Sequence, residues 1–91
     1  MFIRKIGMAK NGIAVIYFYQ SDIEQSTKHY IEAKNIFLKF PKYNATEIAR
    51  VNYNLAINYS EENRLEEAIA LVKNSLKIYE QKFGKIHKRV G

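Results

Sequence analysis

Apolar residues recur at steps of three and four along most of the chain, which is the spacing of one face of an α-helix. In the stretch 45–60 the recurring residues are Ile48, Val51, Leu55, Ala56 and Tyr59. The other two clear stripes are Ile23, Ser26, Tyr30, Ala33, Ile36 and Phe37, and Leu65, Ala68, Ile69, Val72, Leu76 and Tyr79. With the apolar run at 13–19, these stripes predict four helices at about 3–20, 22–40, 45–60 and 64–83, each with a core-facing side, and no strands.

Residues that favour helix ends fall near these limits. A Ser or Asn followed three positions later by Glu is a capping-box pattern. It occurs at Ser21/Glu24, Asn44/Glu47 and Asn63/Glu66. Pro41 follows Phe40 and Gly84 follows Phe83, so the second and fourth helices are predicted to end there.

The same skeleton occurs twice, because residues 13–36 align with residues 55–78 at an offset of 42. The matched pairs are Ile13/Leu55, Ala14/Ala56, Tyr17/Tyr59, Ile23/Leu65, Ser26/Ala68, Tyr30/Val72, Ala33/Ser75 and Ile36/Ile78. A fixed period near 40 residues is typical of stacked helical hairpins, whose usual work is to bind another polypeptide. We therefore predict one all-α domain of two stacked antiparallel hairpins, with repeat 1 at about 7–43, repeat 2 at about 44–83 and a basic connector at 84–91.

The amino-acid composition excludes several classes of protein. The 91 residues, 47% hydrophobic and 26% charged, describe a single globular domain with a modest core. The absence of Cys excludes a disulfide framework, a thiolate zinc site and a cysteine nucleophile, and it favours the cytoplasm. The apolar run at 13–19 is too short for a membrane span and leads into polar residues rather than a cleavage site, so we predict no membrane association.

The net charge of +6 is concentrated at the two ends of the chain. Residues 1–10 carry three basic residues and residues 82–91 carry four, with no acidic residue in either segment. The repeat body between them has eight basic residues against nine acidic ones. Because a nucleic-acid groove needs cations along the body as well, we predict no direct nucleic-acid binding.

The second repeat carries a family resemblance. Its segments 53–59, 63–69 and 75–79 read YNLAINY, NRLEEAI and SLKIY, and together they resemble a tetratricopeptide repeat. The residues that match the family are Leu55, Ala56 and Tyr59 in the first helix and Ala68, Val72 and Ser75 in the second. Asn52, Asn63 and Glu80 depart from the usual Trp, Gly and Pro. The first repeat fits less closely, and the two together cover about residues 7–83.

The 42-residue spacing exceeds the family's usual length of about 34 residues. It is similar to the longer repeats of kinesin light chains and of bacterial peptide-sensing regulators of the Rap and PlcR types. The abundance of Ile, Lys, Asn and Tyr, whose codons are AT-rich, favours a low-GC bacterium. The resemblance thus implies a protein- or peptide-binding module in the cytoplasm, belonging to a peptide-responsive, quorum-sensing type of transcriptional regulator or to a shortened product of one.

In this family, residues of each first helix that lie off the core stripe line a concave groove. By that register the candidate peptide-binding residues are Asn11, Tyr19, Arg50, Tyr53, Asn54 and Ile57. An Asn offers a peptide backbone both a donor and an acceptor, and an Arg can pair with a carboxylate. The alternatives are solvated amides and aromatic side chains packed in the core. Only Asn54 matches the family's carboxylate clamp, so binding of a chaperone tail is disfavoured.

No pattern in the sequence predicts catalysis. His29 and Glu32 lie on adjacent turns of the second helix, a spacing compatible with one metal ion or an acid–base pair, but a metal bundle needs several such sets. The acidic cluster at 61–67 suits the start of a helix. We predict a non-enzymatic protein with no metal site and no cofactor.

Two repeats fall short of the three or so that a stack normally needs. The run at 13–19 and residues such as Leu71 and Ile78 would then be left uncovered. This predicts a homodimer, by end-to-end stacking or helix exchange. The alternative function is therefore a structural or oligomerisation module in which no ligand groove is used.

Overall fold

The computed structural model describes the backbone of residues 2–90 and the side chains of residues 2–84. In that part, the chain forms four helices and no strands: α1 (Phe2–Tyr19), α2 (Ile23–Phe37), α3 (Ala45–Glu61) and α4 (Leu65–Val90). Helix α1 packs on α2, α2 on α3, and α3 on α4. The predicted all-α architecture of helical hairpins is confirmed.

The two hairpins turn in the same way. After α1, Ser21 adopts φ 65°, its N–H bonds to the Phe18 carbonyl oxygen, and the next N–H bonds to that of Tyr17. After α3, Asn63 adopts φ 61° and the same two bonds reach Ser60 and Tyr59. Both turns are Schellman motifs, in which a left-handed residue satisfies the last helix carbonyls. The two left-handed residues are 42 positions apart, so the repeat period is present in the backbone.

The predicted capping boxes are wrong, because Ser21 and Asn63 have already been used to end the preceding helices. Helix α2 is instead capped by Asp22, whose side chain accepts the Gln25 N–H at 3.1 Å. Asn44 does precede α3, but its side chain makes no capping bond to that helix.

Helix α2 ends at Phe37, three residues earlier than predicted. Pro41 has no N–H to offer the Phe37 carbonyl four residues before it, so the helical bond cannot form. The side-chain amide of Asn44 donates to that carbonyl instead, at 3.1 Å, from a fully buried position.

The prediction that the fourth helix ends at Gly84 is also wrong, since α4 runs to Val90. Glycine ends a helix readily only when it adopts a left-handed conformation, and none of the described glycines does. The side chains of the predicted basic connector beyond residue 84 lie outside the described residues.

The helices of each hairpin approach closely at small residues. In the first hairpin, Ala14 and Ser26 are fully buried, and the Ser26 hydroxyl donates to the Ala14 carbonyl oxygen at 2.8 Å. In the second, the Ser75 hydroxyl donates to the Ala49 carbonyl oxygen at 2.6 Å. Around these crossings lies one core cluster of Ala14, Tyr30, Ala33, Phe37, Ile48, Val51 and Leu55. Its members on α2 and α3 belong to the predicted stripes.

A polar contact joins the helices at equivalent places in both hairpins. Lys10 of α1 pairs with Glu32 of α2 at 3.2 Å. Forty-two residues later, the Asn52 amide donates to the Asn74 side-chain oxygen at 2.8 Å. The repeat therefore extends to side-chain contacts, with an ion pair in one hairpin and an amide pair in the other.

The two hairpins are also held by an ion pair between α1 and α3. Arg4 donates to Glu47, and its guanidinium lies 5.6 Å from the Tyr43 ring centroid. Burial pushes the pKa of Glu47 upward, but the Arg4 hydrogen bond, the backbone and nearby positive charge outweigh burial, so this pKa lies below its ordinary value.

Within the described residues, no helix combines the length and the hydropathy that crossing a membrane requires.

We expect Gly7→Ala and Gly12→Ala to change stability differently. A Cβ on Gly7 would lie 2.7 Å from Cε1 of the buried Phe37 ring, whereas one on Gly12 would meet nothing within 4 Å. Both changes gain about 1 kcal/mol of helix propensity. Overpacking costs about 1–3 kcal/mol, and only Gly7→Ala incurs it. Urea denaturation should give the Gly7→Ala protein a free energy of unfolding lower than that of Gly12→Ala by that amount. Equal stabilities would contradict the close approach.

We expect Glu47→Gln to destabilise the protein at neutral pH and to matter less in acid. A carboxyl group whose pKa is lowered by folding contributes stability above its unfolded pKa and loses it as the pH falls through the folded value. The difference in free energy of unfolding between wild type and Glu47→Gln should therefore shrink as the pH drops below the ordinary value of 4.5. Denaturant titrations at neutral and acid pH measure it. The exposed Glu80→Gln is the control, and a difference independent of pH would reject the assignment.

Candidate functional site

An open groove lies between α3 and α4, and we call it the second groove. Its cavity has a volume of about 640 Å³. It is lined by Tyr53, Ala56, Ile57, Ser60, Glu61, Leu65, Ala68, Ile69, Val72 and Lys73. Most of these side chains are apolar, with polar groups at the rim. Such a surface suits an apolar partner whose orientation is fixed by a few hydrogen bonds.

The first groove is the equivalent surface on the other hairpin. It is lined by Val15, Phe18, Tyr19 and Tyr30, together with Asn54, Ile57 and Asn58 of α3. Four of these match second-groove residues at the offset of 42: Val15/Ile57, Phe18/Ser60, Tyr19/Glu61 and Tyr30/Val72. Its cavity is only about 150 Å³, because α3 occupies most of the space. Burial, followed by the nearby Tyr19, raises the pKa of the Tyr30 hydroxyl in this groove.

A buried hydrogen-bond chain fixes α3 in the first groove. The Asn58 amide donates to the Ser26 hydroxyl at 3.0 Å and to the Thr27 hydroxyl at 3.2 Å. Ser26 then donates to the Ala14 carbonyl oxygen. These bonds run from the second hairpin through α2 to α1, so they set the stacking of one repeat on the other.

A small pocket with both polar and apolar lining residues, which we call the polar pocket, lies nearer the N-terminal ends of α1 and α3. It has a volume of about 60 Å³ and is lined by Met8, Asn11, Phe37, Glu47, Arg50 and Val51. The side-chain oxygen of Asn11 is buried and has no hydrogen-bond partner among the described residues. Arg50 contributes to lowering the pKa of Glu47. This pocket therefore offers an unused acceptor beside charged groups of both signs.

The structure distributes the six predicted peptide-binding residues over three places. Tyr19, Asn54 and Ile57 line the first groove. Asn11 and Arg50 line the polar pocket. Tyr53 lies in the second groove, and Ile57 lines both grooves.

The sequence pattern assigned four exposed residues of α4 to the core, and three of them, Leu65, Ile69 and Val72, line the second groove. Leu65, Ile69, Val72 and Leu76 are exposed by 56, 54, 40 and 57%. The residues predicted to be uncovered, Leu71 and Ile78, are partly buried and pack against the core. The error arose because a hydrophobic stripe identifies an apolar helix face without identifying the neighbour that covers it. The offset of 42 shows which helix would cover this face of α4, because the equivalent face of α2 is covered by α3.

His29 and Glu32 make separate contacts. A His29 ring nitrogen lies 2.8 Å from the Gln25 carbonyl oxygen, and the ring packs on Tyr17 with 5.2 Å between centroids. Glu32 pairs with Lys10, and this hydrogen bond lowers the pKa of Glu32. Among the described residues, no cluster of three or more His, Asp or Glu side chains could hold a metal ion.

Comparison with known proteins agrees with this geometry. The sequence model of the family described as Tetratricopeptide repeat matches residues 5–81, which cover both hairpins and both Schellman turns. A search of curated proteins finds no significant match. Since the family match spans far more than half of the chain, this protein belongs to the tetratricopeptide repeat family.

Proposed function

We propose that the chain is a peptide-binding module that uses the α1–α3 surface, defined as Asn11, Tyr19, Arg50, Tyr53, Asn54 and Ile57. Tetratricopeptide repeats generally mediate protein–protein interactions and are typically non-catalytic. The observation that carries the proposal is the pair of cavities between α1 and α3. One has a mixed lining that includes Asn11 and Arg50, and the other is mainly apolar and contains Tyr19 and Ile57.

The positions of these cavities suggest the form of the ligand. The polar pocket begins at Met8 and the first groove at Val15, seven residues further along α1. Seven helical residues span about 10 Å. An extended peptide covers that distance in three or four residues, at about 3.1–3.4 Å each. The ligand we propose therefore carries an acidic residue and a large apolar residue three or four positions apart, with Arg50 beside the acid.

The finer assignment that we propose is a bacterial peptide-responsive regulator in the cytoplasm. It is supported by the repeat length of 42 residues, which separates the two left-handed turn residues, and by the amino-acid usage and lack of Cys in the sequence. Reading frames next to the coding region test it. A DNA-binding head or a small secreted peptide encoded there is the expected result, and a motor-associated context would reject the bacterial assignment.

A second candidate is an oligomerisation module that forms a homodimer. The exposed apolar residues of α4 favour it, because a folded monomer rarely leaves such a continuous surface in water. The two candidates differ in a simple respect. The peptide-binding module requires a ligand on the α1–α3 surface, whereas the oligomerisation module requires only other copies of the chain.

Peptide arrays with the acidic and apolar residues placed one to six positions apart test the first candidate. We expect the tightest binding at spacings of three and four, measured by fluorescence anisotropy. Arg50→Ala should remove the preference for the acidic residue. Asn54→Ala should weaken binding about threefold to tenfold, because one hydrogen bond contributes about 1 kcal/mol.

Two substitutions on exposed positions of α2, Lys28→Ala and Asn35→Ala, are the matched controls and should leave the affinity unchanged. Binding without any dependence on spacing, or an equal loss in the controls, would contradict the proposed surface. If no peptide binds while the protein remains a dimer, the second candidate is the correct one.

A further inference from the structure

The exposed face of α4 has a covered counterpart in the same molecule. Val72, exposed by 40%, corresponds to Tyr30, which is 3% exposed because α3 lies over α2. Ile69 and Leu76 are more than half exposed, and they correspond to Thr27 and Lys34, which are only partly exposed. The exposure of the two faces differs because, among the described residues, no helix covers α4 in the way that α3 covers α2.

Helix α1 presents the complementary surface. The exposed residues Phe2, Ile6, Ile13 and Ile16 correspond at the offset of 42 to Asn44, which precedes α3, and to Ile48, Leu55 and Asn58 of α3. All four corresponding residues are buried, with exposures between 0 and 6%. The face by which α3 stacks on α2 is thus repeated on α1, where it is open and entirely apolar.

The two open faces both lack the polar side chains that form hydrogen bonds across the internal junction between α2 and α3. Inside the molecule, Asn58 donates to Ser26 and Thr27. At the corresponding positions the open faces carry Ile16 on α1, and Ala68 and Ile69 on α4. The donor Asn58 is thus replaced by an apolar side chain on α1, and both of its acceptors are replaced by apolar side chains on α4. An Asn on either open face alone would meet an apolar surface and be left unsatisfied.

We infer that α1 of a second copy of this chain packs into the second groove, against α4, in the position that α3 occupies against α2. This inference deepens the oligomerisation function proposed above and names its occupant. The contact is heterologous, since two different faces meet, and each added copy presents a new α4 face. A dimer is then the first step of a head-to-tail series.

Charge sets a limit on this association. In the internal junction, α3 begins near the end of α2, so a docked α1 begins near the later part of α4. This arrangement brings the start of α1, with Arg4 and Lys5, towards the part of α4 that carries Lys77, Glu80 and Lys82. Basic residues outnumber the one acidic residue there, so the two surfaces repel each other. Salt screens such exposed charges over about 10 Å at 0.1 M. The association should therefore strengthen, rather than weaken, as salt is added.

Two single variants and their mixture test the inference. Ile16→Asp places a charge on the α1 face, and Ile69→Asp places one on the α4 face. Both residues are more than half exposed in the monomer, so both variants should remain folded by circular dichroism. Sedimentation should show wild type associating with rising concentration and each variant remaining monomeric. The mixture should form a one-to-one dimer, because Ile16→Asp retains an intact α4 face and Ile69→Asp an intact α1 face. Phe40→Asp, in the exposed loop after α2, is the control and should associate like wild type.

Each opposite result overturns the inference. A wild-type chain that stays monomeric up to a few hundred micromolar rejects the stacking, as does a mixture that stays monomeric. An Ile16→Asp protein that still dimerises shows that two α4 faces meet symmetrically instead. Peptide titration of the same samples separates the two functions, since a monomer that binds peptide loses only the stacking.

Discussion

Small side chains set the distance between the helices of each hairpin. Ala14 with Ser26, and Ala49 with Ser75, allow the backbones to approach until a hydroxyl reaches a carbonyl oxygen on the facing helix. A carbonyl oxygen has two lone pairs, so it can accept this bond as well as its helical one. The close approach therefore costs no backbone hydrogen bond. It also brings Lys10 within reach of Glu32 in the first hairpin, and Asn52 within reach of Asn74 in the second.

The stacking of the hairpins follows from the same approach. Ser26 contacts α1 through its hydroxyl hydrogen and α3 through its oxygen, so one side chain connects three helices. Residues 42 positions apart line the same cavities between α1 and α3, Met8 with Arg50 in one and Val15 with Ile57 in the other. The polar pocket and the first groove are products of that register.

Much of this fold could be predicted from the sequence, because the spacing of apolar residues indicates both the helices and the repeat period. The helix ends were harder, since Ser21 and Asn63 were interpreted as caps for the next helix although they terminate the previous one. The early end of α2 was readable from Pro41, whose missing N–H affects a carbonyl four residues back. The grouping of the six binding residues was not readable, because it depends on how α3 lies against α1, and no local pattern encodes that.

The joining contacts of the two hairpins have the same position and different chemistry. Lys10 and Glu32 carry full charges, whereas Asn52 and Asn74 are neutral at every pH in which the protein folds. Helix α1 is held by charge at both Arg4 and Lys10, so electrolytes and protons act on it directly. The α3–α4 unit has no corresponding sensitivity at that contact. The two units therefore respond differently to acid, because protonation of Glu32 removes the joining contact of the first hairpin and leaves the amide pair of the second unchanged.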